Sequence, residues 1–503
     1  MNWPICIAGG ALIASWLLWR YKNRRMIDMA KKLPGPQTIP FLGNALMFMC
    51  QPEEFIKVLK DLMAEYGEIL RFWLGPDLNI VVSNPDDIKV LLTNTKTNVK
   101  GPQYKYMADV LGGGILSGSG PTWRKHRKIA TPNYGKRAVD SYSDVFNKEV
   151  DLLLPVLRGL RKDPFDVYTH IVRSTSYSVC QTLMGLTKEQ TINLPHIEEI
   201  IDITPRAYNV VFKRMTKWYL QIDPVFWMTP IYKVQKHFMK IIDKFSAEII
   251  RYRLGRLKTL EKSKKDLMNS EDDALVNTQL SVIDRFLLSQ ELDKDEMLRE
   301  TFTIFTSSQE ASAKISSYIL LMMAYHPKCQ EKLYAEIKNV IGAEDRHVSD
   351  EDFKKMPYLE MVFKEVLRLF PIGAILQRTV NEDITISSCT LPAGCSLVIP
   401  VYHLHRDPRF WTDPEHFYPE RFNPENTKKR NLNGYIPFSL GPMDCLGRYF
   451  GTKLVKTICV RVLREFEVFS KETYNDLRVM ISISVVSLNG FPIILGPRKK
   501  MSL

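Results

Sequence analysis

Apolar positions recur at helical spacing through the middle of the chain. The longest such run, "KDEMLRETFTIFTSSQEASAKISSYILLMMAY", predicts a helix from about Lys294 to Tyr325. At 1.5 Å per residue it spans roughly 45 Å, the width of a large domain. His326-Pro327 ends it. A second helix, to about Ile341, alternates charges and reads as a surface element. A third, "YLEMVFKEVLRLF", stops at Pro371. After Pro371 short β-like runs appear at Ile384–Ile386, Ser396–Val401 and Met480–Val486, with Pro/Asp-rich coil over Arg406–Asn423. The charged stretch Arg253–Val276 reads as an interhelical loop. No internal repeat is visible. The pattern predicts a mainly α fold with smaller β-sheets.

The N-terminus breaks this pattern. "WPICIAGGALIASWLLW", Trp3 to Trp19, carries no charge and is at the short end of a bilayer span. Arg20, Lys22, Arg24, Arg25, Lys31 and Lys32 follow it, a basic flank that stays cytoplasmic. A cleaved signal peptide carries its charge before the apolar run, not after. Residues 1–20 are therefore expected to form a transmembrane signal anchor. Residues 21–40, ending in "LPGP" and neighbours, form a basic, proline-rich hinge, and residues 41–503 form one catalytic domain.

Composition is ordinary for a globular chain of 503 residues, with 45% hydrophobic and 25% charged positions. The eight cysteines form no C-x-x-C pair, which excludes a disulfide framework and a structural zinc site and indicates reduced thiols facing cytosol. The net charge of +13 favours anionic partners, a membrane or an acidic protein. Its scattered basic residues contain no nucleic-acid-binding motif.

One thiol stands apart. In "FSLGPMDCLG", Phe438 to Gly447, Cys445 lies in a loop shaped by Gly441, Pro442 and Gly447. Such a loop exposes sulfur on one side, lets backbone approach a flat macrocycle and aims N–H groups at a thiolate. The helix-like run after Gly447 puts a helix N-terminus near the sulfur, which favours its negative charge. The loop alone serves equally as a turn around a buried structural cysteine. Other stretches decide between the two.

The sequence resembles the cytochrome P450 superfamily, the haem-thiolate monooxygenases, over nearly its whole length. It is most like insect members of the clan that includes the fatty-acid omega-hydroxylases. The family loop F-x-x-G-x-R-x-C-x-G matches at Phe438, Gly441, Cys445 and Gly447, which implies Cys445 as the iron ligand. "EVLR" and "FYPERF" imply a structural triad of Glu365, Arg368 and Arg421. In "WRKHR", Trp123 and Arg127 share a helical face. The resemblance implies that they hold the haem propionates, together with Arg378 of "LQRTVNED". It also implies haem b, non-covalent apart from the thiolate–iron bond. The implied partners are NADPH-cytochrome P450 reductase and cytochrome b5, docking on a basic face that includes Arg448 and Lys453. The implied location is the endoplasmic reticulum membrane, with the catalytic domain in the cytosol. A small hydrophobic lipid, hydrocarbon or xenobiotic substrate would meet Tyr104–Leu116, Pro371–Leu376, Thr301–Glu310 and Ser484–Leu488.

Departures fall on the reacting centre. Met443 stands where the family loop has Arg. The oxygen-binding segment aligns with "SSQEAS", so Glu310 matches the acid, Ala311 replaces the relay threonine and Ser312 matches the last position. Ser307 stands where several clan members carry a haem-esterifying glutamate, so no ester is expected. A missing relay alcohol suits two further readings, a haem-thiolate peroxide isomerase or a non-catalytic haem- or lipid-binding derivative.

Overall fold

The computed structural model describes residues 3–160, 163–266, 280–342, 346–428 and 430–498. A long helix, Lys294–Tyr325, runs through the centre, as its apolar run predicts. It begins in a capping box, where Asp293 accepts from the Glu296 N–H and Glu296 reaches back to the Asp293 N–H. It packs against the helices Tyr168–Thr182, Arg448–Glu465 and Pro230–Asp266. Phe302, Phe305, Tyr318, Leu320 and Leu321 on it are fully buried. Each such side chain contributes roughly 1.5–3 kcal/mol by leaving water.

The other predicted elements form close to their expected bounds. Pro327–Ile341 and Pro357–Leu369 are helices. A mixed five-stranded sheet orders its strands Ile69–Leu74, Asp77–Val82, Ser396–Ile399, Leu376–Thr379 and Val99–Lys100. Asp77–Val82 and Ser396–Ile399 pair in parallel, the other neighbours antiparallel. The run at 480–486 is a hairpin of Val479–Ile481 and Val485–Ser487. The expected loop from Arg253 does not begin there. The helix Pro230–Asp266 continues through it, because Arg253 is buried and bonds both carboxylate oxygens of Asp284 at 2.9 and 2.6 Å. The rest of that stretch, from 267, lies outside the described residues.

The apolar N-terminal run forms a helix, Trp3–Lys22. Among the described residues, however, no helix is long and apolar enough to cross a membrane, which corrects the expectation of a clear span. Glycines, a serine and three tryptophans dilute the run. Its C-terminal end docks on protein, with Trp16 5.2 Å from Phe41 and Trp19 edge-on to Trp73 at 5.7 Å. The cysteines at 50, 180, 329, 389, 395, 445 and 459 are all free.

Candidate active site

The coil ahead of the cysteine loop is tied down by a buried charge network. Glu365 and Arg368 face each other one helical turn apart, with Arg368 Nε and Nη2 each 2.8 Å from a Glu365 oxygen and both side chains fully buried. Arg368 Nη1 also donates to the carbonyls of His405 and Pro414 at 2.9 and 2.6 Å. Arg421 Nε reaches Glu365 at 3.2 Å, and its other nitrogens donate to the Thr412 and Asp413 carbonyls. The network thus satisfies carbonyls in a segment that has no regular partner strand. His405 carries the restraint forward, since its Nε2 accepts from the Ile436 N–H at 2.9 Å, two residues before Phe438. Burial, then the charges of Arg368 and Arg406, push His405 down to about 3, so it is the neutral acceptor this bond requires.

The loop itself is closed by Cys445 N–H to the Phe438 carbonyl at 2.9 Å and Asp444 N–H to the Gly441 carbonyl at 3.1 Å. Gly441 has φ +74°, and a Cβ there would stand 2.2 Å from the Leu92 carbonyl oxygen, so only glycine fits. The helix Arg448–Glu465 starts immediately after Gly447. Cys445 is exposed, and it opens onto a cavity of about 450 Å³. Packing around the thiol raises its pKa. The Gly447 N–H opposes this, as do Arg448 and Arg127, while Asp444 adds to the rise.

Across the cavity lies the middle of the long helix, with Ser307, Ser308, Glu310, Ala311 and Ser312 on the wall. Their hydroxyls are engaged locally. Ser307 Oγ donates to the Thr303 carbonyl at 2.6 Å, Ser312 Oγ to the Ser308 carbonyl at 2.7 Å, and Ser308 bonds the Tyr134 side chain. Glu310 stands 2.6 Å from Lys314 Nζ, one turn on, and Lys314 also donates to Ser484 Oγ at 2.6 Å. Lys314 was missed in the sequence, although its i,i+4 position after a glutamate is the favourable orientation for such a pair.

Trp123 and Arg127 also line the cavity, from the helix Gly120–Ala130. Arg127 turns to the cysteine loop, donating to the Asp444 carbonyl at 2.6 Å and to its carboxylate at 2.7 Å. Arg378 is buried, donates to the Gln377 carbonyl at 2.9 Å and is not among the lining residues. Opposite it in register stands Lys100, which does line the cavity. Packing, then the charges of Arg378 and Arg127, hold its ammonium well below the usual lysine range. Neither Lys100 nor Asp444 carries a local signal that would single it out. Lys453, expected on a docking face, is instead buried and bridges Asp140 and Asp350 at 3.0 and 2.6 Å. Arg448 is partly exposed and pairs with Asp444.

Of the expected substrate stretches, Tyr104, Met107, Ile115, Leu116, Ile372, Ile375, Leu376, Thr303, Ile304 and Ser484 face the cavity, whereas residues 485–488 do not. Ile115 is held by its N–H bond to the buried Glu300 at 2.9 Å. The cavity extends further, to Phe48, Phe55, Leu59, Phe72, Tyr208, Phe212 and Met215, none of which the sequence singled out.

A family profile described as Cytochrome P450 matches residues 33–489. The chain belongs to the cytochrome P450 family. It is 31% identical to cytochrome P450 4d1 of Drosophila simulans, over 92% of each chain. It is 29% identical to human cytochrome P450 4V2, over 98% of this chain and 95% of the relative. It is 27% identical to cytochrome P450 4c3 of Drosophila melanogaster. The protein is thus a haem-thiolate monooxygenase, an oxidoreductase with a b-type haem, that uses a redox partner and a hydrophobic substrate.

The residues present fit that cofactor. Cys445 opens its thiol onto the cavity, and a Cβ at Gly447 would lie 4.0 Å from that sulfur. The Lys100, Arg378 and Arg127 cluster provides positive charge at one edge, which two propionates would balance. This P450 departs from its family where the cluster meets the loop, since Met443 is buried and apolar.

Proposed function

We propose that this P450 inserts one oxygen atom from O2 into a lipid, hydrocarbon or hydrophobic xenobiotic, using NADPH-derived electrons from a flavoprotein reductase. The observation that carries the reading is a largely apolar cavity with a thiol on one wall and the long helix on the other. The bound haem supplies oxygen activation. In this reading Cys445 would hold its iron, and Trp123 and Arg127 would face its propionates, with Arg378 buried beside Lys100 behind them. Glu310, Ala311 and Ser312 form the distal turn, and Phe48, Phe55, Phe72 and Phe212 hold the apolar body of the substrate. The triad of Glu365, Arg368 and Arg421 keeps the loop in place without touching substrate.

A groove of about 470 Å³ around Phe438, Leu440, Arg448 and Tyr449, rimmed by Lys136, Lys354 and Lys364, is the proposed docking face for NADPH-cytochrome P450 reductase and for cytochrome b5. We place the protein at the endoplasmic reticulum membrane, with residues 1–20 as anchor, 21–40 as hinge and 41–503 as the cytosolic catalytic domain. Exposed Ile7, Ile13, Leu17 and Leu18 on the first helix support this, as do exposed Ile39, Phe41, Leu46, Trp227 and Met228. Release of the full chain from microsomes by alkaline carbonate alone would contradict it.

The Glu310–Lys314 pair beside Ala311 favours a second reading, isomerisation of a peroxide substrate that brings its own activated O–O bond. Turnover with NADPH and reductase, run against turnover driven by an organic hydroperoxide with products analysed, tests the two. Product only in the peroxide arm would overturn the first.

A further inference from the structure

One wall of the cavity is built from a segment with little shape of its own. Four of the seven residues from 112 to 118 are glycine, the residue that loses most conformational freedom when it is ordered. Yet this loop delivers Ile115 and Leu116 to the cavity. It is held from behind by two side chains that do not line that space. Glu300 Oε1, on the long helix, accepts the Ile115 N–H at 2.9 Å and stands 3.1 Å from His126 Nδ1, on the helix Gly120–Ala130. Both side chains are buried, and Glu296 faces the other ring nitrogen of His126 at 3.8 Å. The second oxygen of Glu300 has no hydrogen-bond partner among the described residues. A buried carboxylate engaged through one oxygen packs poorly, and an apolar side chain of that volume would cost less there. The loop backbone is moulded to the engaged oxygen. A Cβ at Gly114 would lie 1.3 Å from it and 2.7 Å from His126 Nδ1. Thr303 Oγ1 fixes the start of the loop by donating to the Leu111 carbonyl at 2.9 Å, and the Gly118 N–H closes its end on the Gly114 carbonyl at 2.9 Å. The Glu300 bond is the tie at its middle.

We infer that Glu300 and His126 are positioning residues for substrate choice. Together they draw the loop 112–118 inward, so that Ile115 and Leu116 narrow the cavity to ligands with a slim apolar chain. Freed from Glu300, the glycines let the loop swing outward, and a broad ring system then fits where only a chain did. Neither residue touches the ligand, and both act through the Ile115 backbone. The inference rests on the proposed binding of an apolar substrate in this cavity, and it adds which shape of substrate is accepted.

The test uses the purified, haem-loaded full chain and two probes that ligate haem iron, an imidazole bearing an n-octyl chain and one bearing an adamantyl cage. Optical titration gives the ratio of their dissociation constants for wild type, Glu300→Leu, Glu300→Gln and Gly114→Ala. Haem content and circular dichroism report folding. Wild type should prefer the slim probe. Glu300→Leu should lower that preference about tenfold, roughly the least that one charge-assisted bond is worth. Glu300→Gln keeps an acceptor oxygen and should retain most of the preference. Gly114→Ala leaves the carboxylate intact but places a methyl group on it, and should lose the preference as Glu300→Leu does. Hydrogen exchange of the peptide containing residues 112–118 gives a second readout, about tenfold faster in Glu300→Leu than in wild type. A merely structural role would weaken both probes by the same factor and leave their ratio unchanged. An unchanged ratio in Glu300→Leu or in Gly114→Ala, or unchanged exchange of the loop, would overturn the inference. The titrations need neither oxygen nor electrons, so failure of the loop test is distinct from failure of the NADPH-driven turnover assay.

Discussion

Lys314 offers the sharpest test of how the distal wall is built. It and Glu310 lie 2.6 Å apart, with side chains 7% and 6% exposed, and Lys314 also donates to Ser484 Oγ. Lys314→Met removes the cation and leaves the Glu310 carboxylate with no counter-charge in a dry site. Breaking a buried pair from one side costs roughly 3–5 kcal/mol, whereas replacing both members with neutral groups of similar volume costs far less. Lys314→Met and Glu310→Gln are each expected to lose about 3 kcal/mol, and the double variant about 1 kcal/mol. The cycle therefore gives a coupling of roughly 5 kcal/mol. Urea midpoints of the haem-loaded protein, followed by the Soret band and by circular dichroism, measure it. Single-variant losses that simply add in the double variant would show that the two side chains do not depend on each other, and the buried pair would be refuted.

Cys445→Ser should abolish the red-shifted Soret band of the ferrous carbon monoxide complex; a wild type showing only a histidine-type spectrum would refute thiolate ligation. Because Ser307 has no carboxylate and its hydroxyl is bonded to the Thr303 carbonyl, acid–ketone extraction should remove the haem completely, and haem retained on the chain would contradict this. Ala311→Thr should raise product formed per NADPH consumed, since a positioned relay group is worth roughly 10²–10⁴-fold; high coupling in wild type would place the relay elsewhere. Stability should fall on acidification. Burial lowers His403 to about 4 and His405 to about 3, so between those values and about 6.5 the unfolded chain binds protons that the folded one refuses. Each histidine then removes about 1.4 kcal/mol per pH unit as pH falls through that window, and His405→Gln should flatten the urea-midpoint profile there.

Much of this molecule is local and therefore legible along the chain. The long helix, the glycine-shaped loop around Cys445 and the Glu365–Arg368 pair follow from apolar period, backbone freedom and one-turn spacing, all set by residues a few positions apart. Glu310–Lys314 was legible in the same way, though spacing alone does not say that the pair is buried. What only the tertiary structure decided are the meetings of distant residues. Arg127 and Asp444 are 317 positions apart, and their pairing depends on how the helix Gly120–Ala130 seats against the cysteine loop. Lys100 meets Arg378 through the register of two short strands. Lys453 looks like a surface cation in sequence, yet packing closes Asp140 and Asp350 over it. Phe48, Phe72 and Phe212 become cavity wall only when separate helices and strands close around one space. Sequence spacing determines which side chains share a face, but the partner of that face is chosen by packing across the whole domain.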